Sequence, residues 1–456
     1  MIKVTMSSEE INSNAGLLLI GRLLDGNSAL KRWDTALPQA SNVKYSNVDI
    51  VRTALALMCL RNSDFADVDQ FQDDGLFSQA ISRHVPGEAV FRQRLERLAG
   101  PGNDPDADQK PGGNVAWQDI VDDMAASILS GVSLGTVRAA GASYIPLDID
   151  VSVLDDVFSR QKEGVETTYH MLNGYAPIFC YAGTEGFLAG CELRPGSQHS
   201  QKGAVPFLRR CVALMVRAGY APRNLLVRVD SGHDSADFIS ACQELGIAFI
   251  VKRNPRRESP EQLLDSIRNS GKAVSPRSGK TVFQGIRTDR RPLGMKDFSV
   301  FMAVEATERI TLASGERLLF PEVTVDSWWT NLPCEADECV GLYHSHATSE
   351  QFHSELKTDM GMQQLPSGKF RVNDLILRLA GIAFNLLRTI GQRAMAAARK
   401  NGRLRVKSQG RFRLLTVLWN YVRVACKLVR HAGQVTARFG RGYFNFFDFK
   451  EIYEIR

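Results

Sequence analysis

Residues 145–150, IPLDID, limit the fold of this chain more than any other segment, because apolar and acidic side chains alternate there. Successive side chains of a β-strand point to opposite faces. Ile145, Leu147 and Ile149 therefore share one face, and Asp148 and Asp150 share the other. The segment predicts a strand whose apolar face is covered by a second layer and whose opposite face is acidic.

The segments that follow predict an α/β fold. Residues 225–230, LLVRVD, form a short apolar run that ends in Asp230 and precedes a turn, and residues 247–252, IAFIVK, form the next run. Asp234 is the predicted N-cap of the helix between them. Further strand-like patterns lie at 176–182 and 186–193, and a helical pattern lies at 203–218. This strand–helix–strand order predicts an open sheet with helices on its faces.

The remaining sequence predicts the domain organisation. A helical domain with a Pro-, Gly- and Asp-rich linker is expected at 1–115, and the α/β core is expected at 116–252 and 325–400. A β-rich insertion is expected at 253–324, where hairpin-like runs lie at 281–287, 298–305 and 310–320. Residues 401–456 form a basic C-terminal region.

Composition excludes several classes of protein. The chain has 456 residues, no uncharged apolar run of membrane-spanning length and no secretion signal at its start, so a cytoplasmic location is expected. Its eight cysteines lack a C-x-x-C pair, and reduced, buried thiols are the expectation.

Positive charge is concentrated near the end of the chain. Residues 368–456 contain 19 Lys and Arg against 4 Asp and Glu, although the net charge of the whole chain is only +6. A polyanion such as DNA suits this distribution, because basic side chains that contact phosphates release condensed counterions. A solvated basic tail is the alternative, but apolar residues at helical spacing predict that the region folds.

Residues 343–360, YHSHATSEQFHSELKTDM, predict an amphipathic helix. At 100° per residue, Tyr343, His346, Glu350 and Lys357 fall on one face, and an apolar stripe that includes Phe352 lies opposite. Such a polar face is commonly no more than solvated surface. Two predicted strands elsewhere in the chain end in Asp150 and Asp230, and these carboxylates favour a functional role for the polar face.

Three carboxylates form the predicted catalytic and metal-binding set: Asp150 on one strand, Asp230 at the tip of another and Glu350 on the helix. Carboxylate oxygens are the hard ligands that Mg²⁺ and Mn²⁺ prefer, and paired ions of this kind serve phosphodiester cleavage. Asp148, on the same strand face as Asp150, and Asp234, near Asp230, remain alternative ligands.

At these residues the sequence resembles the DDE insertion-sequence transposases that carry a Tyr-x2-Arg-x3-Glu-x6-Lys signature, such as the family numbered thirteen-eighty. Here the string is Tyr343-x2-His346-x3-Glu350-x6-Lys357. LDIDVS matches the family's first motif, an Asp followed two places later by Ser or Thr, and RVDSG matches its second. The resemblance covers about residues 145–379. His346 stands where the family has Arg, and an imidazole lacks the guanidinium's bidentate fork.

The resemblance implies a ribonuclease-H-like mixed sheet with flanking helices and an enzyme that cuts and joins DNA with two Mg²⁺ or Mn²⁺ ions. Tyr343, His346 and Lys357 would bind phosphates at the element end. Trp328 and Trp329 are candidates to stack on a flipped base, although one of two adjacent strand residues is expected in the core. Double-stranded DNA, both terminal inverted repeats and target, is the expected partner of a homodimer, with the N-terminal helices recognising the repeats.

Two other functions remain open on the sequence. A metal-dependent nuclease that cuts without joining would use the same three carboxylates. A transposase-derived DNA-binding protein without catalysis would account for His346, but the retention of all three carboxylates argues against it.

Overall fold

The computed structural model describes residues 2–455, except 3, 7–8, 38–42, 101–115, 158, 160, 257, 293, 296–299 and 404–409. Of the predicted Pro-, Gly- and Asp-rich linker, residues 101–115 lie outside the described residues. Within the described part of the chain, no helix combines the length and apolar composition needed to cross a bilayer. All eight cysteines are free thiols, and Cys334 alone among them is not buried.

The N-terminal region is helical, as the sequence predicts. Its elements are β1 (Ile11–Asn12), α1 (Leu17–Asp25), α2 (Arg32–Thr35), α3 (Asn47–Cys59), α4 (Gly75–Ala80), α5 (Glu88–Ala99) and α6 (Ala116–Ser130). Helix α3 begins at a capping box, in which Ser46 and Asp49 each accept the other's backbone N–H. Its apolar face then packs against the long helix α12 (Phe370–Lys400). The N-terminal helices thus share one continuous apolar core with the rest of the chain.

The central sheet is built on a ten-residue strand that carries the alternating motif. Its strands are β2 (Val137–Ala139), β3 (Ala142–Val151), β7 (Ile178–Ala182), β8 (Phe187–Glu192), β9 (Leu225–Val229) and β10 (Ala248–Lys252). A small separate sheet contains β4 (Leu154–Asp155), β5 (Glu166–Thr167) and β6 (Asn173–Tyr175). Strands β3, β9 and β10 are mutually parallel, whereas β7 and β8 form an antiparallel hairpin on the other side of β3. The central sheet is therefore mixed.

The two faces of the sheet bury different clusters. Ile145, Leu147 and Ile149 join the main core, where β8 packs against helices α6 and α7 (Ala204–Arg217). Helix α8 (Ala236–Glu244) precedes β10 and is capped by Ser235, so the prediction that Asp234 is its N-cap is wrong. The opposite face buries Leu226 and Ile250 in a smaller cluster. The alternation in residues 145–150 thus gives two different environments, as predicted.

Residues 260–330 extend the sheet with one helix and four strands. These are α9 (Pro260–Arg268), β11 (Lys272–Arg277), β12 (Lys280–Arg287), β13 (Phe301–Thr311) and β14 (Arg317–Thr330). Strand β14 belongs to both regions, because its last residues pair with β10. Residues 310–320, predicted as a hairpin-like run, contain a turn closed by Leu312 and Glu316, with Gly315 at positive φ, and this turn joins β13 to β14.

The last part of the chain surrounds a 31-residue buried helix. Its elements are α10 (Ala336–His344), α11 (Thr348–Ser354), α12 (Phe370–Lys400), α13 (Leu414–Val417), β15 (Cys426–His431), β16 (Gln434–Phe439) and α14 (Phe446–Glu454). Strand β15 pairs with both β16 and the N-terminal β1. The basic C-terminal region is therefore folded, as its apolar spacing predicts. Its strand β15 also packs against the start of the chain.

Candidate active site

Asp150 and Asp230 lie side by side at the carboxyl ends of two neighbouring parallel strands. Ile149 of β3 pairs in register with Val229 of β9, and the two aspartates are the next residues of their strands. Neighbouring strands are about 4.8 Å apart. The side chains are 25% and 47% exposed respectively, so both carboxylates are open to solvent. This places the predicted pair together, at the edge where open α/β sheets bind ligands.

The turn after β9 holds one oxygen of Asp230, and the other oxygen has no hydrogen-bond partner among the described residues. Oδ1 accepts the Gly232 N–H at 3.2 Å and lies 2.8 Å from Nδ1 of the fully buried His233. Burial by itself raises the pKa of Asp230, but the hydrogen bond and charge of His233, with Gly232, bring the pKa below its ordinary value. Asp230 is thus held ionised and in a defined orientation. The sequence analysis assigned His233 no role.

The two alternative carboxylates are buried and already engaged. Asp148 accepts hydrogen bonds from Nε and Nη2 of Arg228, both at 2.7 Å, and lies 2.9 Å from His346 Nδ1. Asp234 accepts the Trp329 indole N–H at 3.1 Å and the Asn254 N–H at 2.9 Å. We therefore keep Asp150 and Asp230 as the open pair.

His353 of α11 lies directly behind Asp150. Its Nε2 is 3.4 Å from Asp150 Oδ2, and its Nδ1 is 3.2 Å from the Tyr181 hydroxyl. The ring is buried against Phe179 and Tyr181. Burial lowers the pKa of His353 although Asp150 opposes this effect. Sequence analysis missed this residue; its position three residues after Glu350 was the available signal.

For the DNA cleavage that the resemblance implies, replacing His353 with Phe is expected to lower the rate by about 10- to 100-fold, as loss of a residue that orients a ligand typically does. The phenyl ring keeps the packing against Phe179 and Tyr181 but offers no nitrogen to Asp150. Cleavage rates should be measured across metal concentrations, since a positioning role predicts partial rescue at high metal. A rate equal to that of the wild type would contradict this role.

The signature segment does not form one continuous α-helix. A 3₁₀ turn at Ser345–Ala347 separates α10 from α11, and a π-helical turn at Glu355–Asp359 follows α11. The assumption of 100° per residue therefore fails, although the apolar stripe is buried as predicted. Glu350 is exposed on α11. Among the described residues no three His, Cys, Asp or Glu side chains are close enough to hold a metal, so Glu350 is not assembled with Asp150 and Asp230.

The other signature residues face the protein. His346 is buried against Asp148, and Lys357 donates to the Val153 carbonyl at 2.6 Å. The Tyr343 ring packs 5.5 Å from Trp328 and 5.6 Å from His346. These contacts hold the signature segment against β14 and the end of β3. In this conformation His346 is a structural partner of Asp148 and is not open to a DNA phosphate.

The stability contributed by His346 is expected to decrease as pH rises. Burial lowers the pKa of His346, but the hydrogen bond and charge of Asp148 raise it above the ordinary 6.5. The pKa of His346 is higher in the folded state than in the unfolded state. Its contribution to stability is therefore fully present below about pH 6.5 and is lost as pH rises through the folded-state pKa. Urea denaturation of wild type and His346→Phe from pH 5 to 9 should show a shrinking difference in unfolding free energy. A pH-independent difference would refute this.

Both tryptophans are buried, whereas the alternation of a strand predicted only one of them in the core. Trp328 lies in the smaller cluster beside Tyr343, and Trp329 is covered by Arg253, whose guanidinium carbon is 5.2 Å from its ring centre. Neither ring can stack on a base without moving. Because side chains alternate along a β-strand, the two indoles point to opposite faces of the sheet. Both faces are covered by packed side chains at this position.

Much of the basic C-terminal charge is paired inside the protein. Glu355, fully buried, accepts from Arg388 at 2.8 Å and from Arg411. Arg413 binds Asp359 through two nitrogens at 2.8 and 3.0 Å. Lys400 and Arg403 also pair with carboxylates, on Glu451 and Asp448. Arg411 and Arg413 thus dock the C-terminal region onto the signature segment, which the charge count alone did not predict.

The fold and site define an α/β protein with an acidic site at the carboxyl ends of parallel strands. A family model described as transposase DDE domain group 1 matches residues 1–445, and the chain belongs to this family of DDE transposases. No curated protein matches the sequence. Similar solved structures include a piggyBac transposase synaptic complex with hairpin DNA, with 11% identity, coverage of 91% of this chain and 82% of that chain, and a TM-score of 0.45.

Proposed function

We propose that this protein is an insertion-sequence transposase that cleaves DNA at the ends of its element and joins the freed 3′ ends to target DNA. The observation that carries this proposal is the open pair Asp150 and Asp230 on adjacent strands in a chain of the DDE family. The mixed sheet, with a central strand between an antiparallel hairpin and two parallel strands, supports a ribonuclease-H-like core. The Tyr343–Lys357 string supports the signature family, including the family numbered thirteen-eighty.

The donor set fits divalent metal ions. Two carboxylates with solvent-facing oxygens are ligands that Mg²⁺ and Mn²⁺ accept, and DDE transposases generally use such ions. Asp150 and Asp230 would hold them, with Glu350 added if α11 moves its exposed carboxylate toward the pair. Bound ions would supply charge neutralisation at the scissile phosphate and activation of the attacking oxygen. His233 and His353 orient the two aspartates.

The remaining residues position the ligands and the DNA. Arg228 and His346 neutralise Asp148 behind the site. Among the described residues, no unpaired buried carboxylate therefore lies beside Asp150 and Asp230. Lys357, with its amine near Asp150 and Asp155, remains a proposed phosphate contact of the element end, as do Tyr343 and His346 after rearrangement. We further propose a homodimer that binds double-stranded DNA within the bacterial cytoplasm, with the N-terminal helices on the inverted repeats.

The test uses purified protein and a labelled duplex carrying the end of its own element, with Mg²⁺ or with EDTA. Wild type is expected to produce new 3′-hydroxyl ends and joined products only with Mg²⁺, and Glu350→Ala to produce neither. Glu454→Ala removes an exposed carboxylate at the end of α14 and is the matched control. Cutting without joining would favour a nuclease. Binding without cutting would favour a DNA-binding protein without catalysis.

A further inference from the structure

A small hairpin beside the carboxylate pair presents an exposed aromatic ring. Strands β5 and β6 pair through Thr167 and Asn173, and residues 168–172 form the loop between them. Thr168 organises this loop: its N–H and its hydroxyl both donate to the Leu172 carbonyl at 2.9 Å, and its carbonyl accepts the Met171 N–H at 2.9 Å. The loop therefore has a defined conformation.

The loop carries its apolar groups outward. Tyr169 is 65% exposed, and Met171 and Leu172 are also exposed. The Tyr169 ring rests edge-on against His170 at 4.5 Å, and His170 Nδ1 lies 3.6 Å from Asp155. One edge of the phenol is thereby supported while much of the side chain remains in solvent. Exposed apolar groups clustered in this way commonly mark a contact surface.

Two structural connections hold the hairpin next to the site. Strand β4 follows β3 after two residues and pairs with β6, which joins the hairpin to the strand of Asp150. On the other side, Ser197 donates to Glu166 of β5, and Ser200 donates to the Gly232 carbonyl at 2.9 Å in the Asp230 turn. Partial desolvation, and then the charges of Asp150, Asp230 and Asp155, raise the pKa of the Tyr169 phenol. The ring is therefore within electrostatic reach of both open aspartates.

We propose that Tyr169 stacks on an unpaired nucleobase of the DNA strand next to the scissile phosphate. This inference rests on the proposed function, since that function brings DNA to Asp150 and Asp230. An aromatic ring stacks on any base because every base has a π face, and the contact needs no sequence match. Trp328 and Trp329 are enclosed in the core, whereas Tyr169 is accessible. Stacking would hold the strand to be cleaved at the carboxylates, and the ring would touch none of the reacting atoms.

The experiment combines photocrosslinking with cleavage. Forked duplexes of the element end carry 5-iododeoxyuridine at each position flanking the cleavage site, and binding is performed in Ca²⁺ to separate it from cutting. Wild type is expected to crosslink at one position through the tryptic peptide 163–202. Tyr169→Ala should lower both crosslink yield and cleavage rate by between about 5- and 150-fold, the range for one lost stacking contact. Tyr169→Phe should keep both, because stacking uses the ring and not the hydroxyl.

Tyr453→Ala, which removes another exposed tyrosine from α14, is the matched control and should behave as wild type. If Tyr169→Ala crosslinks and cuts like wild type, the inference is overturned while the transposase proposal stands. If wild type binds and crosslinks through Tyr169 but never cuts with Mg²⁺, the proposed catalysis fails while the stacking site stands. If Tyr169→Ala changes only the oligomeric state, the loop is a protein contact and the inference is overturned.

Discussion

Replacing Asp230 with Asn is expected to lower the rate of metal-dependent DNA cleavage by at least about 1000-fold, because a carboxylate that binds catalytic metal accounts for several kcal/mol of transition-state stabilisation. The amide occupies the same volume but carries no charge. Since the Asp230 side chain is 47% exposed, folding should be retained. The pair of Asp150 and Asp230 would then be reduced to one anionic ligand.

Single-turnover cleavage of the element end in Mg²⁺ measures the loss, and urea denaturation verifies that the variant is folded. Asp265→Asn is the matched control, because it neutralises an exposed carboxylate on α9 that pairs with Arg268 of the same helix. The control should cut at the wild-type rate. Wild-type cleavage by Asp230→Asn would remove this aspartate from the metal site and with it the main support for the proposed function.

Replacing Arg228 with Met is expected to lower the free energy of unfolding by about 3–5 kcal/mol, the range observed when one partner of a buried ion pair is removed. Arg228 and Asp148 are both almost fully buried, and the guanidinium also donates to the Leu342 carbonyl at 2.7 Å and to Ser345. Its loss leaves the Asp148 carboxylate with His346 as its remaining partner. The same change would loosen α10 from the sheet.

Urea denaturation at pH 7 measures the effect. Arg209→Met is the matched control, since Arg209 pairs with Glu244 at the surface, where such a pair contributes at most about 1 kcal/mol. The double variant Asp148→Leu with Arg228→Met should be less destabilised than Arg228→Met alone, because no unpaired charge remains buried. If Arg228→Met is no less stable than Arg209→Met, the buried pair does not contribute to stability as proposed.

The sequence predicted the strand of Asp150, the strand of Asp230 and their common sheet, because period-two alternation and short apolar runs are local signals. It also predicted the buried stripe of Phe352, although the segment around it is not one helix. It missed the π-helical turn after α11, since a single inserted residue in a helical turn leaves no periodic signature. The pairing of Glu355 with Arg411 was missed as well, because the two residues are far apart in sequence.

The sequence by itself determined which residues can bind a metal and which strand faces are apolar, because residue chemistry and alternation belong to the chain. Only the tertiary structure decided which carboxylates are open. Asp148 and Asp150 are equivalent in the strand pattern, yet Arg228 and His346 enclose the first and leave the second to solvent. Partners from β9 and the signature segment reach Asp148 only after folding, so long-range packing, which no local pattern encodes, selects the site.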